Sequence, residues 1–129
     1  MIDALDINIT SGPNAPGHAR SLVGGFTRGQ MSLVIRQNAE LLVSELTSNA
    51  VTHAHASDPL RLELALHEKC LHVGVTDRGP GFIAPEHPRP TREGGFGLYL
   101  LDSAADRWGV VRGDARCRVW FELDRAAAG

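Results

Sequence analysis

Three polar residues recur every four positions along one predicted helix. Glu45, Asn49 and His53 follow this interval, which places their side chains in one row on the helix surface. An apolar stripe lies beside the row, so a carboxylate and an amide at that place need polar partners. The row fits a binding or catalytic site, although the solvated edge of an amphipathic helix is the commoner origin of such a pattern.

A second polar group follows an apolar strand. The segment Asp77-Arg78-Gly79-Pro80-Gly81 begins where the apolar run Cys70–Thr76 ends. A buried aspartate there could accept a hydrogen bond from an exocyclic amine such as that of adenine, and the two glycines would let the backbone approach a flat base. An ordinary turn at the end of a strand has the same composition, so this motif alone leaves both interpretations open.

A glycine-rich segment precedes a later predicted helix. The glycines of Gly94-Gly95-Phe96-Gly97 permit a tight turn. The free N–H groups at the start of the following helix suit phosphate oxygens. A single loop of this kind is not specific, so its interpretation depends on the other two motifs.

The polar row needs a long helix, and the sequence predicts one from Leu33 to Ala54. Ser32 is a suitable N-cap. Apolar residues at helical spacing are predicted to face the core: Ile35, Ala39, Leu42, Leu46 and Ala50.

The remaining elements are predicted from alternation, helical spacing and turn residues. Strands are predicted at Ala4–Thr10, Leu60–Leu66, Cys70–Thr76, Trp108–Arg112 and Arg118–Leu123, helices at Pro16–Arg28 and Phe96–Asp106, and a loop at Asp77–Glu93. Two hairpins are expected, one at His67-Glu68-Lys69 and one at Gly113-Asp114-Ala115. This order predicts an α/β two-layer sandwich in which helices cover a mixed or mostly antiparallel sheet.

The composition is that of a globular domain. Hydrophobic residues make up 43% and charged residues 22% of 129 residues, which predicts one domain over residues 1–129. The net charge is -2 and the thirteen basic residues are scattered, so direct nucleic-acid binding is not expected. No apolar run approaches the roughly 20 residues that a membrane span needs, and a cytoplasmic protein is expected.

The cysteine and lysine usage restricts the kind of site. Cys70 and Cys117 have no metal-ligand spacing and lie in apolar strand-like runs, so both are predicted to be reduced core residues. Lys69 is the one lysine, and no P-loop pattern is present. Any nucleotide site must therefore be of another kind.

Taken together, the three motifs resemble the N, G1 and G2 boxes of the GHKL superfamily, whose ATP site is the Bergerat fold. The pattern ExxxNAxxH, then DxGxG, then GxGL covers Glu45 to Leu101. Within the superfamily, the segments Ser44–Ala50 and Gly95–Leu98 are most similar to RsbW-like anti-sigma serine kinases. The resemblance implies a Bergerat sandwich, with about three helices on one face of the sheet, that binds ATP and Mg²⁺.

The resemblance assigns roles to the helix row. Asn49 matches the family asparagine whose side-chain oxygen holds Mg²⁺, and Glu45 matches the acidic residue that acts as general base. His53 falls next to the pocket, where a structural role and a phosphate or ribose contact are both open.

It also assigns roles to the loops. Asp77 matches the adenine-binding aspartate, Gly79 and Gly81 the G1 glycines, and Gly95, Phe96, Gly97 and Leu98 the phosphate loop. The segment Phe82–Glu93 becomes the ATP lid, in which Arg89 and Arg92 could meet the γ-phosphate when the lid closes. For either arginine taken singly, a solvated loop residue is the commoner identity.

The function implied by the resemblance is an ATP-dependent protein serine/threonine kinase. Its partners would be a sigma factor and an anti-anti-sigma protein of the STAS type, and a homodimer is expected. The alternative is an adaptor that binds ATP and transfers nothing.

Overall fold

The computed structural model describes residues 1–53, 58–79 and 96–125. Within these ranges the elements follow the order β-α-α-β-β-α-β-β. They are β1 (Asp3–Ile9), α1 (Ala15–Thr27), α2 (Leu33–His53), β2 (Leu60–Leu66), β3 (Cys70–Asp77), α3 (Phe96–Ala104), β4 (Arg107–Gly113) and β5 (Arg116–Asp124). No helix in the described part of the chain is long and apolar enough to cross a lipid bilayer.

The strands form one five-stranded sheet in the order β1-β2-β3-β5-β4. Every pair of neighbouring strands is antiparallel, so the described sheet is antiparallel throughout and not mixed. Both predicted hairpins are present. The chain passes from β3 through α3 to the edge strand β4, and β5 then returns between β4 and β3.

Alternation along the strands gives the sheet two different faces. One face is apolar and packs against the helices, with buried side chains at Leu60, Leu62, Leu64, Leu66, Leu71, Val73, Val75, Val119, Phe121 and Leu123. The other face, the open face, carries the polar and charged residues of the same strands. The fold is thus the predicted two-layer α/β sandwich, because the helices occupy the apolar face.

The predicted core stripe of α2 is confirmed. Ala39 and Leu42 are fully buried, Leu46 and Ala50 are nearly so, and Ile35 packs at the edge of the core. The predicted N-cap is also present, since the hydroxyl of Ser32 accepts a hydrogen bond from the Ile35 N–H at 3.3 Å.

Helix α1 forms although it contains two adjacent glycines. Gly24 is buried where α1 meets α2, and a Cβ there would collide with the carboxylate of Glu40. Glycine at this position leaves room for the end of the flexible Glu40 side chain, in spite of its low helix propensity.

Element bounds differ from the predictions by one or two residues, as helix and strand ends usually do. Helix α3 ends at Ala104, before the predicted Asp106. Both cysteines are free as predicted, but Cys70 is only half-buried and is not a core residue. The reason is parity: Cys70 is an even-numbered residue of β3 and lies on the open face, whereas Cys117 lies on the helix face and is fully buried.

Candidate functional site

Asp77 is the last residue of β3 and lies on the helix-covered face. It continues the inward row Leu71, Val73 and Val75, and its side chain is buried, with a relative exposure of 7%. A carboxylate at the end of an apolar row is costly to bury unless hydrogen-bond donors face it. The end of the sheet at which it lies is termed the Asp77 end.

The residues after Asp77 leave the strand. Gly79 is buried in a bend directly after β3. The close approach of a flat base to the backbone at Gly79 stays a prediction. Gly81 lies outside the described residues.

Glu45 and Asn49 lie one turn apart on α2, and both are half-buried. They flank the buried stripe and do not belong to it, which agrees with the predicted row. His53 is the last residue of α2, and its side chain lies outside the described part of the structure.

The contacts of Arg125 show at which end of the sheet α2 begins. Its Nη2 donates a hydrogen bond to the carbonyl of Gln30 at 2.7 Å, while its Nη1 donates to the carbonyls of His67 at 3.1 Å and Glu68 at 3.2 Å. Gln30 precedes α2 closely, and His67 and Glu68 lie in the β2–β3 turn. The start of α2 therefore lies beside this turn, at the end of the sheet opposite Asp77.

The far end of α2 consequently lies toward the Asp77 end. The helix has 21 residues, a length of about 31 Å, enough to cross the sheet. The chain then needs only residues 54–59 to reach β2, where Arg61 is paired with Thr76 beside the end of β3. Helix α2 thus carries Glu45 and Asn49 toward the end of the sheet that holds Asp77.

Helix α3 supplies the last element of the site. Its C-terminal end lies away from Asp77, because the Asp106 N–H donates to the Glu122 carbonyl at 3.0 Å and the Trp108 indole N–H donates to Asp102 at 3.1 Å. Phe96 and Gly97 form its first turn, and Leu98 is buried in the core with a relative exposure of 6%.

Some predicted site residues cannot be compared with the structure. Arg92 and the rest of the predicted lid lie outside the described residues, as do Gly95 and the side chain of Phe96. Their assigned roles remain predictions.

The sequence interpretation did not connect Cys117 with the site. Cys117 is paired in register with Asp77, because β5 and not β4 is the neighbour of β3. It faces the helices and is fully buried. The sequence carries only a weak signal for this pairing. Polar and apolar residues alternate over a longer stretch in β5 than in β4, which is typical of an inner strand, and the structure shows β4 to be largely exposed.

A divalent cation would have few protein ligands here. Among the described residues, no three His, Cys, Asp or Glu side chains cluster in a way that holds a metal ion. Mg²⁺ fits this environment, since it often binds one or two protein oxygens together with substrate phosphates and water. The amide oxygen of half-buried Asn49 is an oxygen ligand of this kind.

Comparison with known proteins agrees with this arrangement. Residues 13–123 match the family model described as histidine kinase-like ATPase domain. The chain is 29% identical to the serine-protein kinase RsbW of Oceanobacillus iheyensis, over 81% of this chain and 76% of that protein. It is 28% identical to the RsbW of Bacillus subtilis, over 81% of this chain and 75% of that protein.

Solved structures show the same fold. The structure of the RsbU and RsbW domains of a Mycobacterium tuberculosis protein superimposes with a TM-score of 0.75 and 17% identity. The match covers 97% of this chain and 34% of that one, so the chain spans about a third of the larger structure. The fold is that of RsbW-like GHKL proteins, and the chain belongs to the histidine kinase-like ATPase domain family.

Proposed function

We propose that the chain is an ATP- and Mg²⁺-dependent protein serine/threonine kinase that binds a sigma factor and phosphorylates a small anti-anti-sigma protein. The observation that carries the proposal is the common direction of α2 and β3: the helix with Glu45 and Asn49 runs toward the end of the sheet at which Asp77 is buried. Similarity to serine-protein kinases named RsbW supports it.

In this proposal Asp77 recognises the base. Its carboxylate accepts a hydrogen bond from the exocyclic amine of adenine, in a place where water is largely excluded. Because Gly79 has no side chain, the base can lie directly against the backbone there. In the same proposal Gly95, Gly97 and the first turn of α3 bind the phosphates. Burial strengthens the interaction, because a hydrogen bond is electrostatically stronger where water is largely excluded.

Glu45 and Asn49 serve the transfer step. Asn49 would hold Mg²⁺ through its amide oxygen, and the ion would neutralise charge on the phosphates. Glu45 takes the proton of the substrate serine hydroxyl. The serine oxygen bonds to the γ-phosphorus, the bond from that phosphorus to the β–γ bridging oxygen breaks, and ADP leaves.

The product would regulate binding. A phosphoserine carries a charge of about -1.5 to -2, which would weaken its contact with an acidic or apolar surface of the kinase. The antagonist would then dissociate and the kinase would bind the sigma factor. Such partners require a cytoplasmic protein, and we expect it to act as a homodimer, which sedimentation would test.

The test is transfer of labelled γ-phosphate to a co-expressed anti-anti-sigma protein. We expect wild type to label one serine or threonine, and Glu45→Ala to lower the rate by about 100-fold or more with little change in ATP binding. Glu68→Ala is the matched control, because Glu68 is exposed in the β2–β3 turn, and it should label at the wild-type rate.

The competing function is an ATP-binding adaptor. Tight ATP binding by wild type, with no protein labelled and no ATP hydrolysed, would replace the kinase by the adaptor. Absence of any heat of nucleotide binding in calorimetry with Mg²⁺ would contradict both the kinase and the adaptor.

A further inference from the structure

The open face of the sheet has a groove at its Asp77 end. The groove has a volume of about 460 Å³ and runs across the four neighbouring strands β1, β2, β3 and β5. Its walls are formed by Asp6, Asn8, Pro59, Arg61, Thr76, Asp77, Arg78 and Arg116. We refer to it as the arginine groove.

One wall of the arginine groove is electrically neutral. Arg61 forms a bidentate ion pair with Asp6, in which its Nε lies 2.8 Å from Oδ1 and its Nη2 contacts Oδ2. This hydrogen bonding lowers the pKa of Asp6, so the carboxylate stays charged and the pair persists at neutral pH. Arg61 therefore has little capacity left for a second anion.

The other wall is positively charged on balance, because Arg78 and Arg116 outnumber the one carboxylate of Asp77. Arg78 and Arg116 are both exposed, and neither forms an ion pair with another residue in the described ranges. They approach the groove from two directions, Arg78 from the end of β3 and Arg116 from the start of β5. Two guanidinium groups on one wall favour bidentate hydrogen bonding to carboxylates.

We propose that the arginine groove binds an acidic segment of a protein partner, with carboxylates of that segment on Arg78 and Arg116. The half-buried Thr76 lies between them and the Arg61 pair, and its hydroxyl can donate to the same segment. Because Arg78 directly follows Asp77, the bound segment borders the proposed nucleotide pocket from the opposite face of the sheet.

Charge complementarity selects a peptide over a nucleic acid. In the described ranges Arg78 and Arg116 are the cations of the groove without an ion-pair partner, and two are too few to neutralise a continuous row of phosphates, whereas an acidic peptide can place apolar or neutral residues beside the Asp6–Arg61 pair. The whole chain carries a net charge of -2, which does not attract a polyanion. A groove of this volume suits a few side chains of an extended segment.

The test uses the full chain and a short fluorescein-labelled peptide of alternating aspartate and glutamate, followed by fluorescence anisotropy without nucleotide. We expect Arg78→Glu and Arg116→Glu each to raise the Kd by about tenfold. Arg28→Glu, the same charge change at an exposed position at the end of α1, should change it less than about twofold. Circular dichroism of each variant establishes that it is folded.

Several outcomes would overturn the assignment. They are no binding by folded wild type, an equal loss in Arg28→Glu, equal competition by inorganic sulfate at matched ionic strength, or stronger competition by single-stranded RNA. Dissociation of a dimer by the peptide would assign the groove to a second copy of the chain. The measurement needs neither ATP nor phosphate transfer, so its failure and failure of the proposed function are separate results.

Discussion

Asp77 and Cys117 lie directly opposite each other on β3 and β5, and both side chains are buried on the helix-covered face. The carboxylate thus adjoins a small, weakly polar thiol rather than a charged or bulky side chain. In the described part of β3, the inward row that ends at Asp77 otherwise consists of Leu71, Val73 and Val75, so it forms an apolar floor that ends in a carboxylate. Such a floor is suited to a flat heterocycle that offers one donor.

Replacement of Asp77 by Asn tests this arrangement. We expect Asp77→Asn to weaken ATP binding by about tenfold or more, because a hydrogen bond to a charged acceptor is lost. The fold should persist, since the substitution preserves shape. Isothermal titration calorimetry measures the affinity, and thermal unfolding measures the fold.

Asp114→Asn is the control for this substitution. Asp114 is exposed in the β4–β5 turn, so the same chemical change there should leave the ATP affinity unaltered. Wild-type affinity in Asp77→Asn would remove Asp77 from the nucleotide site.

The sequence predicts the elements well because their patterns are local. Alternation defines β2 at its observed bounds, and Ser32 with the apolar stripe defines the start and the buried face of α2. The position of β5 between β3 and β4 is not local information. It depends on which strand buries more apolar area against the helices. The pairing of Asp77 with Cys117 can therefore not be predicted from local sequence patterns.

The candidate site is predicted only in part for a similar reason. Glu45, Asn49 and Asp77 carry types and spacings that a motif reveals. The direction of α2 is instead seen from the contacts of Arg125, which donates to backbone carbonyls far away in the sequence. Carbonyl acceptors have no residue signature, so a sequence pattern cannot predict this contact.

Replacement of Asn49 by Ala tests the proposed metal ligand. We expect Asn49→Ala to lower ATP affinity in the presence of Mg²⁺ by about tenfold, and to change metal-free affinity much less, because the lost group binds the ion and not the nucleotide. Calorimetric titrations with Mg²⁺ and with a chelator measure the two values. Asn38→Ala, an amide lost from the same helix, is the control. Equal losses with and without the ion would contradict a metal role.

The hydrogen bonds of Glu122 on the open face of the sheet lead us to expect that acid lowers the stability of the fold. Partial burial raises the pKa of Glu122, but hydrogen bonds from Arg107 at 2.8 Å and His72 at 3.0 Å outweigh it, so the pKa is lowered overall. A carboxylate whose pKa is lower when folded stabilises the protein above its unfolded pKa. This contribution is lost as the pH falls through the folded pKa.

Urea unfolding of wild type and Glu122→Gln measures this effect. We expect the variant to be less stable by about 1 kcal/mol near pH 6, with the difference shrinking toward zero at about pH 3. Glu68→Gln, at an exposed turn position, should match wild type at both pH values. A difference between wild type and Glu122→Gln that grows on acidification would reverse the sign of the argument.

Removal of the Arg125 side chain should both destabilise the fold and disturb the site. Arg125 donates to carbonyls of Gln30, His67 and Glu68, so its loss removes the hydrogen bonds that connect the start of α2 with the β2–β3 turn. We expect Arg125→Ala to cost about 1–3 kcal/mol in urea unfolding, the range for hydrogen bonds from a charged donor. ATP affinity should fall as well, because Glu45 and Asn49 are carried by the helix whose start is released.

Arg112→Ala, at an exposed position of β4, is the control and should change neither quantity. A destabilised Arg125→Ala with unaltered ATP affinity would mean that α2 keeps its direction without this contact.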